Sequence, residues 1–167
     1  YILLTLHRPS NVDDHRYFKN ILTEIKYACA NDKIIFPIHP RSKKQIKLIK
    51  HLPKNIHLVS PQSYLEFIYL LKNCKAILTD SGGVSEEATI LNIPCLTFRT
   101  STERPETILE GTNHLIGSNL NNLNANIKKI NKGLWKKGRM PNKWDGKTSK
   151  RILLDLIKII NKNEKYI

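Results

Sequence analysis

Residues 75–98 read KAILTDSGGVSEEATILNIPCLTF, and this segment decides the fold that the sequence predicts. A short apolar run at 76–78 leads into the turn DSGG at 80–83, and a helix-like stretch and a second apolar run at 95–98 follow. This order is typical of a β–turn–α–β unit with a glycine-rich turn at the carboxyl end of its first strand. The first amides of such a helix have no partner inside the helix, so the turn predicts a site for an anion such as a phosphate.

The rest of the chain alternates apolar runs of strand length with helical patterns. We expect strands at 2–6, 34–38, 56–59, 76–78, 95–98 and 114–116, and helices near 15–30, 42–51, 63–73, 124–133 and 148–162. Apolar stripes predict the inner faces of two helices: Phe18, Ile21, Leu22 and Ile25, and Leu65, Ile68, Tyr69 and Leu71. On the final helix, Ile152, Leu153, Leu156 and Ile160 repeat every three or four residues. The alternation predicts an α/β fold, a doubly wound parallel sheet of the Rossmann-like kind.

The composition is typical of one globular domain in a reducing, cytoplasmic compartment. A chain of 167 residues can bury a core without disulfides. Cys29, Cys74 and Cys95 are widely spaced, so we expect buried thiols and no structural metal site. No apolar run approaches the roughly 20 residues of a membrane span, so we expect no membrane partner. The chain begins at Tyr1 inside an apolar run, and we expect that an amino-terminal part is missing.

The net charge of +14 raises the question of a nucleic-acid partner. The lysines are spread over several helices between apolar positions, which is typical of solvated faces. The sequence has no RNP-type aromatic pair, zinc-finger spacing or helix-turn-helix pattern. We therefore expect no nucleic acid as partner, and part of the lysine excess serves an anionic ligand.

Polar side chains follow four of the predicted strands. His7 and Arg8 follow the first, His39 the second, the turn 80–83 the fourth, and the segment 99–104 the fifth. The carboxyl ends of parallel strands lie at one edge of a sheet, so these residues predict an anion pocket.

The glycine turn and the residues after it have both functional and structural interpretations. Gly82 and Gly83 allow a close backbone approach to a ligand and tolerate a positive φ, whereas the alternative is an ordinary turn with Ser81 as helix N-cap. The pattern is neither GxGxxG nor a P-loop. Of the next two carboxylates, we favour Glu87 for hydrogen bonds to the vicinal hydroxyls of a ribose. Asp80 is expected to orient the turn.

Other candidates come from the remaining strand ends. His7 suits acid–base work or hydrogen bonding, and the alternative is a structural histidine that caps a loop; His39 has the same two interpretations. Phe67 can cover a flat base, with Gln62 at the edge of that base, although its spacing also suits a core position. Arg104 can bind phosphate or form a salt bridge at a helix start.

Six segments taken together resemble a known family: TLHRPSNVD (5–13), FPIHPRSKK (36–44), PQSYLEF (61–67), LTDSGGVSEEA (78–88), TERPETILEGTN (102–113) and WDGKTSKRI (144–152). They are similar to the carboxyl-terminal half of the UDP-N-acetylglucosamine 2-epimerases of the non-hydrolysing, bacterial type. The resemblance implies that residues 1–167 form the nucleotide-binding half of a two-domain GT-B fold, whose amino-terminal domain is not in this chain.

The same resemblance implies roles for individual residues. Gln62 and Phe67 would hold uracil and Glu87 the ribose; His7 would be catalytic at the reacting end of the sugar, with Arg8 near it. The diphosphate would be held by Ser81, Gly82, Gly83 and Arg104. His39 resembles a position that some members use for a second, regulatory UDP-sugar. Family members are often homodimers.

The implied reaction interconverts UDP-GlcNAc and UDP-ManNAc by elimination and re-addition of UDP, without cofactor or metal, to supply precursors of surface polysaccharide. The acidic catalytic residues of the family belong to the other half, so this chain alone should be inactive. HRPSN at 7–11 and HPRSKK at 39–44 depart from common members and resemble epimerases of UDP-diacetamido sugars. A GT-B glycosyltransferase domain is the other alternative.

Overall fold

The computed structural model describes residues 1–163, which form six β-strands and eight α-helices. The strands are β1 (Ile2–Thr5), β2 (Ile34–Pro37), β3 (Ile56–Val59), β4 (Ala76–Thr79), β5 (Cys95–Thr97) and β6 (Asn113–Leu115). The helices are α1 (Pro9–Val12), α2 (His15–Ala28), α3 (Pro40–Ile46), α4 (Tyr64–Asn73), α5 (Gly82–Ile90), α6 (Glu106–Leu109), α7 (Asn122–Asn131) and α8 (Thr148–Asn163).

The six strands form one parallel sheet in the order β3-β2-β1-β4-β5-β6. The chain builds outward from β1 to β3, returns to the other side of β1 to form β4, and builds outward again to β6. This is the doubly wound topology that the sequence predicts. The order reverses between β1 and β4, and ligands of open parallel sheets bind in the crevice at the carboxyl ends of the strands at such a point.

The predicted strands are all confirmed, and their ends differ from the prediction by no more than one residue. The helix expected at 42–51 is shorter and starts earlier in the chain. His39 is its N-cap, it begins at Pro40 and it ends at Ile46. The single-turn helices α1 and α6 are too short to give a periodic pattern, and the sequence did not predict them.

Side chains of β1 alternate between the two faces of the sheet, as the period of a strand requires. Ile2 and Leu4 point to the face that α2 and α7 cover, where Phe18, Ile21, Leu22 and Ile25 are all buried as predicted. Leu3 points to the opposite face, which α4 and α5 cover. Each fully buried Leu or Ile contributes about 1.5–3 kcal/mol, so the sheet with its two helical layers holds the carboxyl strand ends in place.

The predicted core face of α4 is partly wrong. Leu71 is buried and Ile68 packs against the core, but the Leu65 and Tyr69 side chains are 78% and 70% exposed. The half-buried Phe67, which was not assigned to the core stripe, also packs against the core. Apolar residues cover more than one face of α4, and only the sheet selects which face is inside.

Helix α8 exists where the sequence predicts it, but its apolar face is not in the core. The side chains of its apolar repeat are each more than half exposed: Ile152, Leu153, Leu156 and Ile160. Leu154, Ile157 and Ile159 are also exposed, so nothing in residues 1–163 covers this helix. Within the same residues, no helix has both the length and the apolar character required to cross a membrane.

The three cysteines are free and buried, which confirms the expected thiols. Burial raises the pKa of Cys29, Cys74 and Cys95 to about 12 in each case. The thiolate form, which reacts with oxidants and binds metals, is therefore scarce at neutral pH.

Two glycine-to-alanine changes should separate packing from helix formation. A Cβ on Gly111 would lie 2.6 Å from the carbonyl oxygen of Thr107 and would overlap the Thr89 side chain, whereas a Cβ on Gly83 would have no atom within 4 Å. We expect Gly111→Ala to lower the free energy of unfolding by about 1–3 kcal/mol. Gly83→Ala should leave it unchanged or raise it by up to about 1 kcal/mol. Urea denaturation measures both, and equal effects would contradict this account of the packing.

Candidate functional site

The candidate site lies where the chain leaves β1 and β4 at the reversal of strand order. Thr5 and Thr79 are partners in the register of the two strands, and their hydroxyl oxygens are 2.6 Å apart. The next residues, Leu6 to Arg8 and Asp80 to Gly83, therefore leave the sheet side by side. Their sequence separation of more than 70 residues hides this neighbourhood from any local pattern.

Asp80 is fully buried and its carboxylate anchors the loop after β1. It accepts hydrogen bonds from the amide of His7 at 3.0 Å, the amide of Arg8 at 2.9 Å and the side-chain amide of Asn11 at 3.1 Å. The imidazole Nδ1 of His7 lies 3.0 Å from the other carboxylate oxygen. Burial alone would raise the pKa of Asp80, but these donors outweigh it and the pKa is lowered. The arrangement fits the orienting role expected for Asp80.

The same contact sets the ring of His7. The ionised Asp80 carboxylate can only accept hydrogen bonds, so Nδ1 of His7 carries the hydrogen that it donates to Asp80. Nε2 is then the ring nitrogen that remains for a ligand. The rings of His7 and His39 lie 5.3 Å apart between centroids. Nδ1 of His39 accepts the amide of Arg41 at 3.2 Å, because His39 is the N-cap of α3.

A cavity of about 270 Å³ opens at the ends of β1, β2 and β4. It brings together five of the predicted site residues: His7, His39, Gln62, Phe67 and Ser81. Phe67 both packs against the core and lines this cavity, so its two interpretations are compatible. The Gln62 side chain donates to the carbonyl of Ser60 at 2.8 Å, which leaves its own carbonyl oxygen for a ligand.

The glycine turn starts α5 with Ser81 as its N-cap. The Ser81 hydroxyl accepts the amide of Val84 at 3.5 Å, and the Ser81 amide donates to the Thr79 hydroxyl at 3.0 Å. Gly82 and Gly83 occupy the first two helical positions, where the helix offers no acceptor for their amides. Neither glycine has a positive φ, so their tolerance of unusual backbone angles is not used here. The open space beside Gly83 serves close approach instead.

Two arginine–glutamate pairs lie beside this turn. The Arg104 side chain is paired with Glu86 of α5, so the salt-bridge interpretation describes it, although the partner is not the neighbouring Glu103. The guanidinium of Arg99 donates to both carboxylate oxygens of Glu103, at 2.8 and 2.6 Å. The hydrogen bonds from Arg99 lower the pKa of Glu103 to about 2. Arg99 follows β5 in the segment 99–104, which the sequence assigns to the anion pocket without an individual role for Arg99.

Glu87 points away from these pairs, as two adjacent carboxylates on a helix must differ in direction. It is half-buried, and within residues 1–163 no hydrogen bond to its carboxylate is formed. Burial, and then the charge of Glu86, raise the pKa of Glu87. A half-buried acceptor without a donor suits a ligand hydroxyl.

The site has two parts that share Ser81. The cavity under Phe67 suits a flat ring, and the amino end of α5 with its arginines suits an anion. The other predicted site residues do not line the cavity itself: Arg8, Gly82, Gly83, Glu87 and Arg104. No cluster of three or more potential metal ligands occurs among the residues that the structure describes.

A larger groove of about 950 Å³ lies at the opposite edge of the sheet, between α2 and the loop before β3. Four lysines line this groove, Lys19, Lys26, Lys50 and Lys54. None of the predicted site residues lines it. We assign the site to the smaller cavity, because the strand order reverses there and polar residues from the ends of β1, β2 and β4 line it.

Comparison with known proteins agrees with the resemblance seen in the sequence. Residues 1–157 match the family model described as UDP-N-acetylglucosamine 2-epimerase. The enzyme of that name from Methanocaldococcus jannaschii is 48% identical over 161 residues, which cover 92% of this chain and 43% of the relative. A homologue from Methanococcus maripaludis is 46% identical over 136 residues, covering 78% and 38%.

A solved structure of the M. jannaschii enzyme in complex with UDP-GlcNAc and UDP superposes with a TM-score of 0.82 at 43% identity. The superposition covers 95% of this chain and 45% of that chain. The present chain thus spans less than half the length of the relatives that it matches.

Replacement of Asp80 should destabilise the fold in a pH-dependent way. Because its pKa is lowered in the folded state, its contribution is complete above the unfolded pKa of about 3.9 and is lost as the pH falls through the lower folded value. We expect Asp80→Asn to lower the free energy of unfolding by about 2–4 kcal/mol at pH 7, with a smaller difference below pH 4. Urea denaturation from pH 3 to 7 measures it. A difference independent of pH would contradict the role of the charge.

Proposed function

Because the chain belongs to the UDP-N-acetylglucosamine 2-epimerase family, we propose that it is the nucleotide-binding half of such an enzyme. In this proposal it holds the UDP part of a UDP-sugar. The observation that carries the proposal is the junction at Ser81, where a cavity lined by an aromatic ring adjoins the open amino end of α5. A uridine diphosphate has the matching parts, a flat base and two phosphates.

The proposed ligand occupies the two parts of the site in order. Uracil lies against Phe67, with the free carbonyl oxygen of Gln62 as acceptor for its N–H. The ribose hydroxyls donate to Glu87, whose carboxylate is half-buried and unused. The diphosphate accepts hydrogen bonds from the amides of Gly82 and Gly83, which the helix leaves free.

Cations complete the proposed diphosphate site. Arg104 is held beside α5 by its pair with Glu86, in the second turn of the helix. Arg8 donates its Nε to the carbonyl of Asp80 at 2.9 Å, which places its guanidinium at the same strand end. Guanidinium groups match the geometry of phosphate oxygens, so both arginines suit the proposed roles.

We propose the elimination–addition mechanism of the family for the whole enzyme. Loss of the C2 proton and cleavage of the bond between C1 and the UDP oxygen give a glycal and UDP. UDP then adds back to C1 while a proton reaches C2 from the opposite face. Negative charge develops on the departing diphosphate, where the amides of α5 and the arginine side chains can stabilise it. Nε2 of His7 is free to hydrogen-bond or exchange a proton at the reacting end.

The proposed enzyme needs a second half to supply acid–base groups on the other side of the sugar. The exposed aliphatic face of α8 supports this, because seven large apolar side chains there lack cover within residues 1–163. We assign the amino-terminal half of the same enzyme as the element that covers it. A homodimer and a cytoplasmic location are part of the proposal; the three buried thiols suit a reducing compartment.

UDP binding tests the proposed site. We expect the chain to prefer UDP over 2′,3′-dideoxy-UDP about tenfold or more, because a hydrogen bond to a carboxylate contributes about 1.5–3 kcal/mol. Glu87→Ala should abolish this preference and leave the affinity for the dideoxy ligand little changed. Isothermal titration calorimetry measures all four affinities. A preference that survives in the variant would refute the ribose role, and equal binding of UDP and an unrelated oligonucleotide would refute the proposed function.

Turnover tests the division of the enzyme into halves. We expect no interconversion of UDP-GlcNAc and UDP-ManNAc by this chain alone, and activity without any acceptor sugar once the amino-terminal half is present. A glycosyltransferase would need an acceptor. Leu156→Lys should abolish recovery of activity and association between the halves, yet leave the isolated chain as stable as before, because the side chain is 51% exposed. Lys158→Gln, on the exposed polar side of α8 beside Asp155, is the control variant and should preserve association.

A further inference from the structure

Arg99 and Glu103 form a two-pronged ion pair at the start of α5. Both Nη atoms of Arg99 donate, at 2.8 and 2.6 Å, to separate oxygens of the carboxylate. The Arg99 side chain is only 11% exposed, whereas the Glu103 side chain is 63% exposed. One partner is therefore fixed in the protein and the other reaches it from the solvent side.

The ion pair lies beside Gly82, the first residue of α5. A Cβ added to Gly82 would lie 3.6 Å from Nη1 of Arg99 and 4.0 Å from an oxygen of Glu103. The carboxylate thus lies against the first residue of α5, where the helix amides are free. The hydrogen bonds from Arg99 lower the pKa of Glu103 most, and the charge of Arg8 lowers it further. The guanidinium of Arg99 and the first residue of a helix therefore both adjoin this carboxylate.

We propose that Glu103 is a resident anion that occupies the phosphate position of the empty site, and that Arg99 is a diphosphate-binding residue. This inference rests on the proposed function. When UDP binds, a phosphate takes the place of the carboxylate on the guanidinium of Arg99, and Glu103 moves into solvent. No bond is broken, since one hydrogen-bonded anion replaces another.

The exchange has a physical basis in the burial of the two partners. The Arg99 side chain is 11% exposed, and a poorly solvated guanidinium without a partner is costly, so an anion is needed there when no UDP is bound. An exposed carboxylate holds its position only weakly, because such pairs contribute little in water. The planar fork of arginine fits a carboxylate and a phosphate equally well, so the incoming ligand can form the same two hydrogen bonds.

A resident anion also affects selectivity. Every ligand that uses Arg99 must displace Glu103, and its apparent affinity falls by the fraction of molecules in which the carboxylate has left. A ligand that contacts only the cavity under Phe67 does not compete with Glu103. Removal of the carboxylate should therefore strengthen binding of phosphate-bearing ligands and leave uridine unaffected.

Three variants of the 167-residue chain test the inference by calorimetric titration with UDP, inorganic pyrophosphate and uridine. We expect Glu103→Gln to bind UDP and pyrophosphate about two- to fivefold more tightly than the wild type. Arg99→Gln should bind both at least tenfold more weakly, because a phosphate loses a two-pronged partner. Arg99→Lys, which keeps the positive charge, should bind both ligands with an affinity between those of the wild type and Arg99→Gln. It replaces Arg99→Gln in the test if that variant fails to fold.

Glu110→Gln is the matched control. This variant removes one negative charge, as Glu103→Gln does, but from the ion pair of Glu110 with Arg139. Glu110 lies in the segment before β6, and therefore at the amino ends of the strands, opposite the site at their carboxyl ends. We expect its affinities to stay within about 1.5-fold of the wild type at one salt concentration. Uridine should bind all variants equally.

The outcomes separate this inference from the proposed function. UDP binding by the wild type without tighter binding by Glu103→Gln would overturn the resident-anion role. Tighter binding by Arg99→Gln would show that Arg99 merely restrains Glu103, and would overturn its role as a binding residue. If the wild type fails to distinguish UDP from pyrophosphate, the proposed function fails, and the order of the variants with pyrophosphate still decides the inference. No change with pyrophosphate in any variant would also overturn it.

Discussion

The carboxylate of Asp80 is the constraint on which the site depends. It is buried, charged and bound by two backbone amides and two side chains of the segment 7–11, so it joins the end of β4 to the loop after β1. A buried charge is costly unless each acceptor position is used, and here the loop supplies the donors. The loop conformation and the ionised state of Asp80 are therefore mutually dependent. The tautomer of His7 follows from the same contact.

The sequence predicted what depends on local patterns and missed what depends on contacts between distant segments. The strands follow from short apolar runs, and the buried stripe of α2 from its period. The inner face of α4 was predicted wrongly, because Leu65 and Tyr69 are as apolar as the residues that are buried. The contact of His7 with Asp80 joins positions 73 residues apart, and only the pairing of β1 with β4 brings them together.

The charges around α5 explain why individual residue roles were hard to predict. The sequence shows arginines and glutamates in alternation at 99–106, and any of several pairings is compatible with that order. The fold selects Arg99 with Glu103 and Arg104 with Glu86, because α5 lies beside the segment after β5. Each cation near the helix start thus has a carboxylate within reach. In this arrangement, anion binding is an exchange of partners, so its strength depends on how firmly each carboxylate is held.

The division of labour in the proposed enzyme follows from the geometry of an open sheet. Strand ends of one parallel sheet line one wall of a crevice, and helix starts along that wall are partially positive. Such a wall stabilises the departing diphosphate. Removal of a proton from C2 needs a base on the other side of the sugar, because the carboxylates near this wall have other roles in the proposal: Asp80 holds its loop, Glu86 pairs with Arg104, and Glu87 accepts from the ribose. A second wall must therefore supply that base, and the exposed apolar face of α8 offers a surface on which a further domain can pack.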